Sequence, residues 1–383
     1  MLRKDVFTVK DSKTTIAFID LAAQQACIRP QLEAALKRVL DHGNYVQGPE
    51  VAAFEAALSQ YTGTPHVVGC ADGTDALTMV LMALDVGPGD AIFVPSFTFI
   101  STAEVVALRG ATPIFVDVRE DTYNMCPKSL ESALQAVKKT DLKAKGIISV
   151  DLFGQPADHK AIQAVAEDHK LWVLVDAAQS MGATYEGKHT VNYGIAATTS
   201  FFPAKPLGGY GDGGAIFTHN EELAAKLKMI RLHGQGSIPY ETSILGITGR
   251  LDTLQAAILI EKLKIFPQEI QARNRVAENY TKTLKGVTTP FVPPHNVSVW
   301  AQYTIQVEGR DALREHLKEK GIPTGIYYPK PLHMQRPYQN YPRAQVPVTE
   351  RICERVLSLP MHPYLRESSQ EYIVETIRKY LKF

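Results

Sequence analysis

Short runs of consecutive apolar residues recur along the first two-thirds of the chain, and most are followed by a stretch with helical spacing. His66-Val-Val-Gly-Cys70, Ala91-Ile-Phe-Val-Pro95, Thr112 to Val118, Ala144 to Val150, Leu171-Trp-Val-Leu-Val175 and Ala215-Ile-Phe-Thr218 read as strands. Helical patterns follow at Leu77 to Leu84, Pro127 to Lys138, Lys160 to His169 and Glu221 to Leu232. Strands that lack polar alternation are buried on both faces. Their alternation with helices predicts an α/β fold, a mostly parallel sheet with helices on both sides. Such sheets take their ligands at the C-terminal ends of the strands.

Three segments at or near strand ends carry chemistry. Lys205 sits between Pro203 and Pro206 amid apolar residues, with a glycine cluster behind it from Gly208 to Gly214. Those surroundings desolvate an ammonium and lower its pKa, as a lysine that bonds covalently to a carbonyl requires. Ser200, five residues upstream, offers a hydroxyl and an N–H to a phosphate. Asp176 follows the 171–175 run and leads into Ala177-Ala178-Gln179, so a carboxylate stands at a strand tip. There it can pair with a protonated pyridine nitrogen, the arrangement that makes pyridoxal phosphate (PLP) an electron sink. Asp72-Gly73-Thr74-Asp75 joins a strand to a helix, where unpaired N–H groups and the helix dipole favour a phosphate. Thr74 could cap that helix, bond a phosphate oxygen, or do both.

One competing motif is set aside. Gly209-Tyr-Gly211-Asp-Gly213-Gly214 fits G-x-G-x-x-G but follows a proline-rich loop and opens a strand. The dinucleotide fingerprint follows a strand and opens a helix.

With a net charge of +1, the chain lacks the basic face of a nucleic-acid binder. Its 45% apolar and 21% charged residues are those of an ordinary globular protein, and 383 residues suffice for two domains. Met1 to Thr15 has no apolar signal core, and no eighteen uncharged apolar residues run together, so a cytoplasmic protein with no membrane span is expected. Cys27, Cys70, Cys126 and Cys353 lack metal-ligand spacing and read as reduced thiols; no metal site is expected.

From about Phe18 to the C-terminus the chain resembles the DegT/DnrJ/EryC1/StrS-type sugar aminotransferases, which share the aspartate aminotransferase fold. The resemblance rests on Asp176-Ala-Ala-Gln179 combined with Ser200-Phe-Phe-Pro-Ala-Lys205. It implies a large domain with a mostly parallel seven-stranded sheet, followed by a smaller C-terminal α+β domain. Boundaries are expected at 1–17 (tail), 18–255 (large domain), 256–284 (connecting helix, bent or broken at Pro267) and 285–383 (small domain). In the small domain, Trp300–Val307 and Thr324–Tyr328 read as strands, and Arg310–Lys320 and Ser368–Leu381 as helices. The resemblance also implies a role for each matching residue. Lys205 would link to PLP and carry the proton, Asp176 would hold the pyridine nitrogen protonated, and Gln179 would reach the phenolic oxygen. Phe99 would stack on the ring, while Gly73, Thr74, Asp75 and Ser200 would bind the phosphate. Lysine at 205 favours transamination, because relatives that act as dehydratases carry histidine there.

Further implications concern substrate and assembly. The run from Phe201 to Phe217 looks most like enzymes that aminate C3 of UDP-linked 3-keto sugars, above all 2-acetamido-2-deoxy-3-oxo-glucuronic acid, with glutamate as amino donor, for O-antigen and lipopolysaccharide synthesis. Alternatives are dTDP-3-keto-6-deoxyhexoses, C4-keto nucleotide sugars, another PLP enzyme of the fold such as an amino-acid aminotransferase, or a non-catalytic PLP-binding regulatory module. Arg231, His233 and Tyr240 match a loop that enters the neighbouring subunit's site in a homodimer, and Tyr327, Tyr328 and His333 match a segment that faces the sugar nucleotide; Arg231 or Arg250 could pair a carboxylate or pyrophosphate. Two departures stand out. Thr248 occupies a place where relatives commonly have an asparagine that reaches the partner's cofactor phosphate. Asp72 replaces a small polar residue, and its carboxylate would repel a phosphate unless it points away.

Overall fold

The computed structural model describes residues 15–236, 238, 241–342 and 345–383. Five strands appear in the order β1 (His66–Cys70), β2 (Asp90–Pro95), β3 (Thr112–Val116), β4 (Lys143–Val150) and β5 (Trp172–Asp176). A short excursion, β6 (Thr184–Tyr185) and β7 (Lys188–His189), precedes β8 (Ala196–Ser200) and β9 (Gly214–Thr218). β1 to β5, β8 and β9 form a seven-stranded sheet in the order β1-β9-β8-β5-β4-β2-β3. Within it only β9 runs antiparallel to its neighbours. An antiparallel neighbour needs no crossover helix. The loop through Lys205 and the glycine cluster simply returns the chain beside β8 and leaves the lysine at the sheet's C-terminal edge.

Eight helices surround this sheet or lead away from it: α1 (Leu21–His42), α2 (Pro49–Thr62), α3 (Gly73–Ala83), α4 (Ser101–Leu108), α5 (Pro127–Val137), α6 (His159–Asp168), α7 (Glu221–Ile230) and α8 (Thr253–Thr283). Successive strand residues pack to opposite sides. Phe93, Val173 and Val175 join Leu58, Leu134, Ile162 and Phe266 in one core. Ile92, Val94 and Leu174 join Leu77, Val80, Val106 and Leu227 in the other. Burial on both faces is why these strands carry no polar alternation.

Three features differ from the sequence expectations. The first is α1, which is absent from the helical patterns named above: it starts at Leu21, where the Asp20 carboxylate accepts the Ala23 N–H at 2.9 Å, and is kinked at Ile28 ahead of Pro30. α8 continues through Pro267 as one helix where a bend or break is predicted; Phe266 and Ile270, either side of the proline, are anchored in the main core. The strand expected at Thr324–Tyr328 is absent, and Gly325 makes only an isolated bridge to Ser358. β10 (Asn296–Val297) joins β6 and β7 in a three-stranded sheet, and a separate two-stranded sheet consists of β11 (Tyr303–Gln306) and β12 (Val356–Leu359). Helices α9 (Arg310–Glu319), α10 (Pro347–Arg355) and α11 (Glu367–Leu381) accompany it. Its core gathers Tyr280, Tyr303, Leu313, Leu317, Leu359 and Ile377. Among the described residues no helix is long and apolar enough to cross a membrane.

Candidate active site

Asp176 is the last residue of β5, only 6% exposed. One carboxylate oxygen accepts the Ala178 N–H at 3.1 Å and the other accepts the Thr102 hydroxyl at 3.0 Å. Burial raises its pKa, against the opposing pull of the Ala178 N–H, the Lys205 charge and Thr102. Lys205 lies past the tip of β8, and its N–H donates to the Phe202 carbonyl at 2.8 Å. Burial lowers its pKa, and attraction to Asp176 offsets part of that shift. A carboxylate and an amine from adjacent strand ends are thus near enough to attract one another, in surroundings that desolvate both.

Gln179 is almost fully buried, with an orientation set by its neighbours. Its Oε1 accepts the Phe153 N–H at 2.7 Å, so the amide NH2 must point the other way, where it reaches the Tyr328 hydroxyl at 3.3 Å. Phe153 presents that N–H from a left-handed backbone, φ 60°. Phe99, just beyond β2, is 53% exposed, leaving ring surface open. Its centroid lies 6.4 Å from that of Tyr328, whose phenol is pushed up in pKa by burial. Tyr327 is half-buried and tilts against Phe18 at 6.3 Å.

A polar cup forms where α3 begins beside the end of β8. A Cβ on Gly73 would stand 2.8 Å from the Ser200 Cβ, so only glycine allows the two backbones this close. The Thr74 hydroxyl lies 2.8 Å from that of Ser101, and the Ser200 Oγ accepts the Phe202 N–H at 3.2 Å. Thr74 does not cap α3. The cap is Asp72, whose Oδ1 accepts the N–H groups of Thr74 at 2.6 Å and Asp75 at 2.8 Å. Ser101 and Thr102 belong to this constellation and are missing from the sequence-derived set. Their signal is two consecutive hydroxyls at the start of the helix that follows a strand end.

Two expected substrate contacts are corrected. Arg231 is 6% exposed and spends its guanidinium inside the fold, donating to Glu55 Oε1 at 2.6 Å and to the Gly69 carbonyl at 2.8 Å. His333 is also enclosed: Nδ1 meets the Ser96 hydroxyl at 2.8 Å, Nε2 lies 3.3 Å from Glu350, and the ring packs at 6.3 Å from Phe115. Both side chains already carry partners within the fold. His233 and Thr248 meet each other instead, Nε2 to Oγ1 at 2.7 Å, on an exposed segment closed by the Leu232–Thr248 bridge. Arg250 is partly exposed close to the start of α8. Tyr240 lies outside the described residues.

This donor set matches PLP part by part. A desolvated amine suits the aldehyde, a buried carboxylate the pyridine nitrogen, an oriented NH2 the phenolic oxygen, an open aromatic face the ring, and the hydroxyl-lined cup the phosphate. Gly73→Ala is expected to force α3 and Ser200 apart at a cost of about 1–3 kcal/mol, the usual range for overpacking. Titration of the variant with PLP should then show weaker binding than wild type, with the fold intact by circular dichroism.

Comparison with known proteins points to the same cofactor class. The "UDP-2-acetamido-2-deoxy-3-oxo-D-glucuronate aminotransferase" of Pseudomonas aeruginosa is 48% identical over 94% of this chain and 98% of its own length. A DegT DnrJ EryC1 StrS aminotransferase from Brucella abortus superimposes with TM-score 0.95 at 50% identity, covering 96% of this chain and all of that one. The Bacillus subtilis protein NtdA, solved with bound cofactor PMP, the amine form of PLP, matches with TM-score 0.88 at 30% identity over 99% of this chain and 88% of that one. The model of the DegT/DnrJ/EryC1/StrS aminotransferase family matches residues 26–378. This chain therefore belongs to the DegT/DnrJ/EryC1/StrS aminotransferase family, a PLP-dependent group.

Proposed function

We propose that this protein transfers the amino group of glutamate to C3 of a UDP-linked 3-keto sugar, with 2-acetamido-2-deoxy-3-oxo-glucuronic acid as the sugar, for O-antigen and lipopolysaccharide synthesis. The observation that carries the substrate choice is the 48% identity to a relative named for that activity, across 98% of its length. The site's chemistry supports the reaction class. PLP, when bound, supplies the electron sink that lets a proton leave the carbon bearing the amine. Lys205, held as a poor cation by burial, would take that proton at its amine and give it back. Asp176 would keep the pyridine nitrogen protonated, Gln179 would donate to the phenolic oxygen, and Phe99 would pack on the ring. Gly73, Thr74, Asp75, Ser200 and Ser101 would hold the phosphate. Tyr327, Tyr328, Arg250 and His233 remain the substrate-side candidates. Assays comparing the UDP-linked 3-keto acid with its C4-keto isomer and with a dTDP-3-keto-6-deoxyhexose test the choice. The first should have the highest kcat/KM, and a preference for either of the others would overturn it.

The enzyme is proposed to act as a homodimer with composite sites. Tyr45 and Val46 between α1 and α2, Phe202 just after β8 and Leu245 ahead of α8 expose apolar side chains that a second copy would cover. Thr248 is proposed to approach the partner's cofactor phosphate, its hydroxyl shared with His233. Thr248→Ala should weaken PLP binding only a few-fold, the loss of one neutral hydrogen bond of about 1 kcal/mol. Cofactor titration and sedimentation at one protein concentration check this; a fully active monomer would exclude the composite site.

A further inference from the structure

The cup at the start of α3 already holds an anion of the protein's own. Asp72 Oδ1 takes the N–H groups of Thr74 and Asp75 at 2.6 and 2.8 Å. These are the amides that a phosphate at this helix start would use. Asp72 has little room to withdraw by moving its backbone. A Cβ on Gly214, at the start of β9, would collide with the Asp72 carbonyl, and Gly73 is pressed against Ser200. The Asp72 backbone is extended, φ −164° and ψ −177°, and with the Gly214 contact blocking a backbone shift, withdrawal falls to rotation of the side chain. A second carboxyl is close by: Asp75 is raised in pKa by burial and by the Asp72 charge. A phosphate entering the cup would meet the Asp72 carboxylate beside its hydroxyl donors.

We propose that the Asp72 carboxylate is a built-in competitor for the cofactor phosphate: it satisfies the Thr74 and Asp75 amides in the unloaded protein and must rotate off them when the cofactor binds. This rests on the PLP reading of the site. Loading breaks a capping interaction and brings like charges together, so the cofactor is held less tightly than the donors in the cup would permit. Asp72 acts as a positioning residue for α3 and as a brake on cofactor retention, and the chemical step does not involve it.

The test is Asp72→Asn, whose side-chain oxygen can still cap the helix but carries no charge. Dissociation constants for PLP, measured by equilibrium dialysis of wild type and variant, should fall by roughly tenfold or more in the variant, as expected for removing a charge a few ångströms from a dianion. Pyridoxal, which lacks the phosphate, should bind both proteins equally. Asp72→Ala should also bind PLP more tightly, while melting at a lower temperature because it loses the cap. Equal or weaker PLP binding by Asp72→Asn, or an equal gain for pyridoxal, would overturn the proposal while leaving the cofactor assignment intact. Failure of wild type to bind PLP at all would overturn both.

Discussion

Lys205→Ala should abolish transamination while leaving the folded protein able to bind PLP. The lysine is the group positioned to link to the cofactor and to carry the proton, and proton transfer alone is worth about 10²–10⁴-fold in rate. The ring platform of Phe99, the NH2 of Gln179 and the cup of Gly73, Thr74, Ser101 and Ser200 are untouched by the substitution. Dialysis should therefore show retained cofactor that lacks the visible absorption of a lysine-linked form, and single-turnover assays should show no amine transfer. More than a few per cent of wild-type kcat would mean that a different residue moves the proton.

Asp176→Asn should retain the fold and the cofactor but slow proton removal by roughly 10²–10³-fold, the range for losing one preorganised electrostatic group. Asparagine can still accept the Thr102 hydroxyl, but it cannot hold a pyridine nitrogen protonated. The pH behaviour provides a second signature. In the cofactor-free protein burial raises the folded pKa of Asp176 above that of an ordinary aspartate, whereas a pyridinium paired with it in the loaded enzyme would favour the carboxylate. A folded-state pKa above the unfolded value means that the ionised group costs stability at neutral pH and costs nothing once pH drops below the unfolded pKa. Without cofactor, Asp176→Asn should consequently melt no lower than wild type at pH 7. Near-normal single-turnover rates would remove Asp176 from its assigned role.

Much of this was legible in the chain because the information was local. An apolar run ended by Asp176, and a lysine flanked by prolines ahead of a glycine cluster, mark strand tips without reference to anything distant. The two-sided burial of β2 and β5 follows from the same runs. What escaped was non-local. Arg231 looks like a free cation in sequence, but its partner Glu55 lies 176 residues away, and the ion pair turns it into a packing group. His333 is likewise claimed by Ser96, 237 residues distant, at the end of β2. The Thr102 hydroxyl acquires its meaning only when the fold brings it to Asp176. In the small domain, Pro347–Arg355 is too polar on its exposed face, and Val356–Leu359 too short, to stand out as α10 and β12. The sequence did flag Asp72 as an unusual neighbour for a phosphate, but that its carboxylate seizes the two amides is a property of backbone geometry.

The central claim is that this site passes an amino group from an amino acid to a keto sugar through Lys205-bound PLP, and one absorbance titration tests it directly. Purified protein with PLP should show the visible band of the lysine-linked cofactor. Glutamate should bleach that band as the cofactor takes up the amine, and the UDP-linked 3-keto sugar should restore it in stoichiometric amount. A protein that shows no such band with PLP, or whose band is indifferent to glutamate and to every keto sugar, would contradict the account.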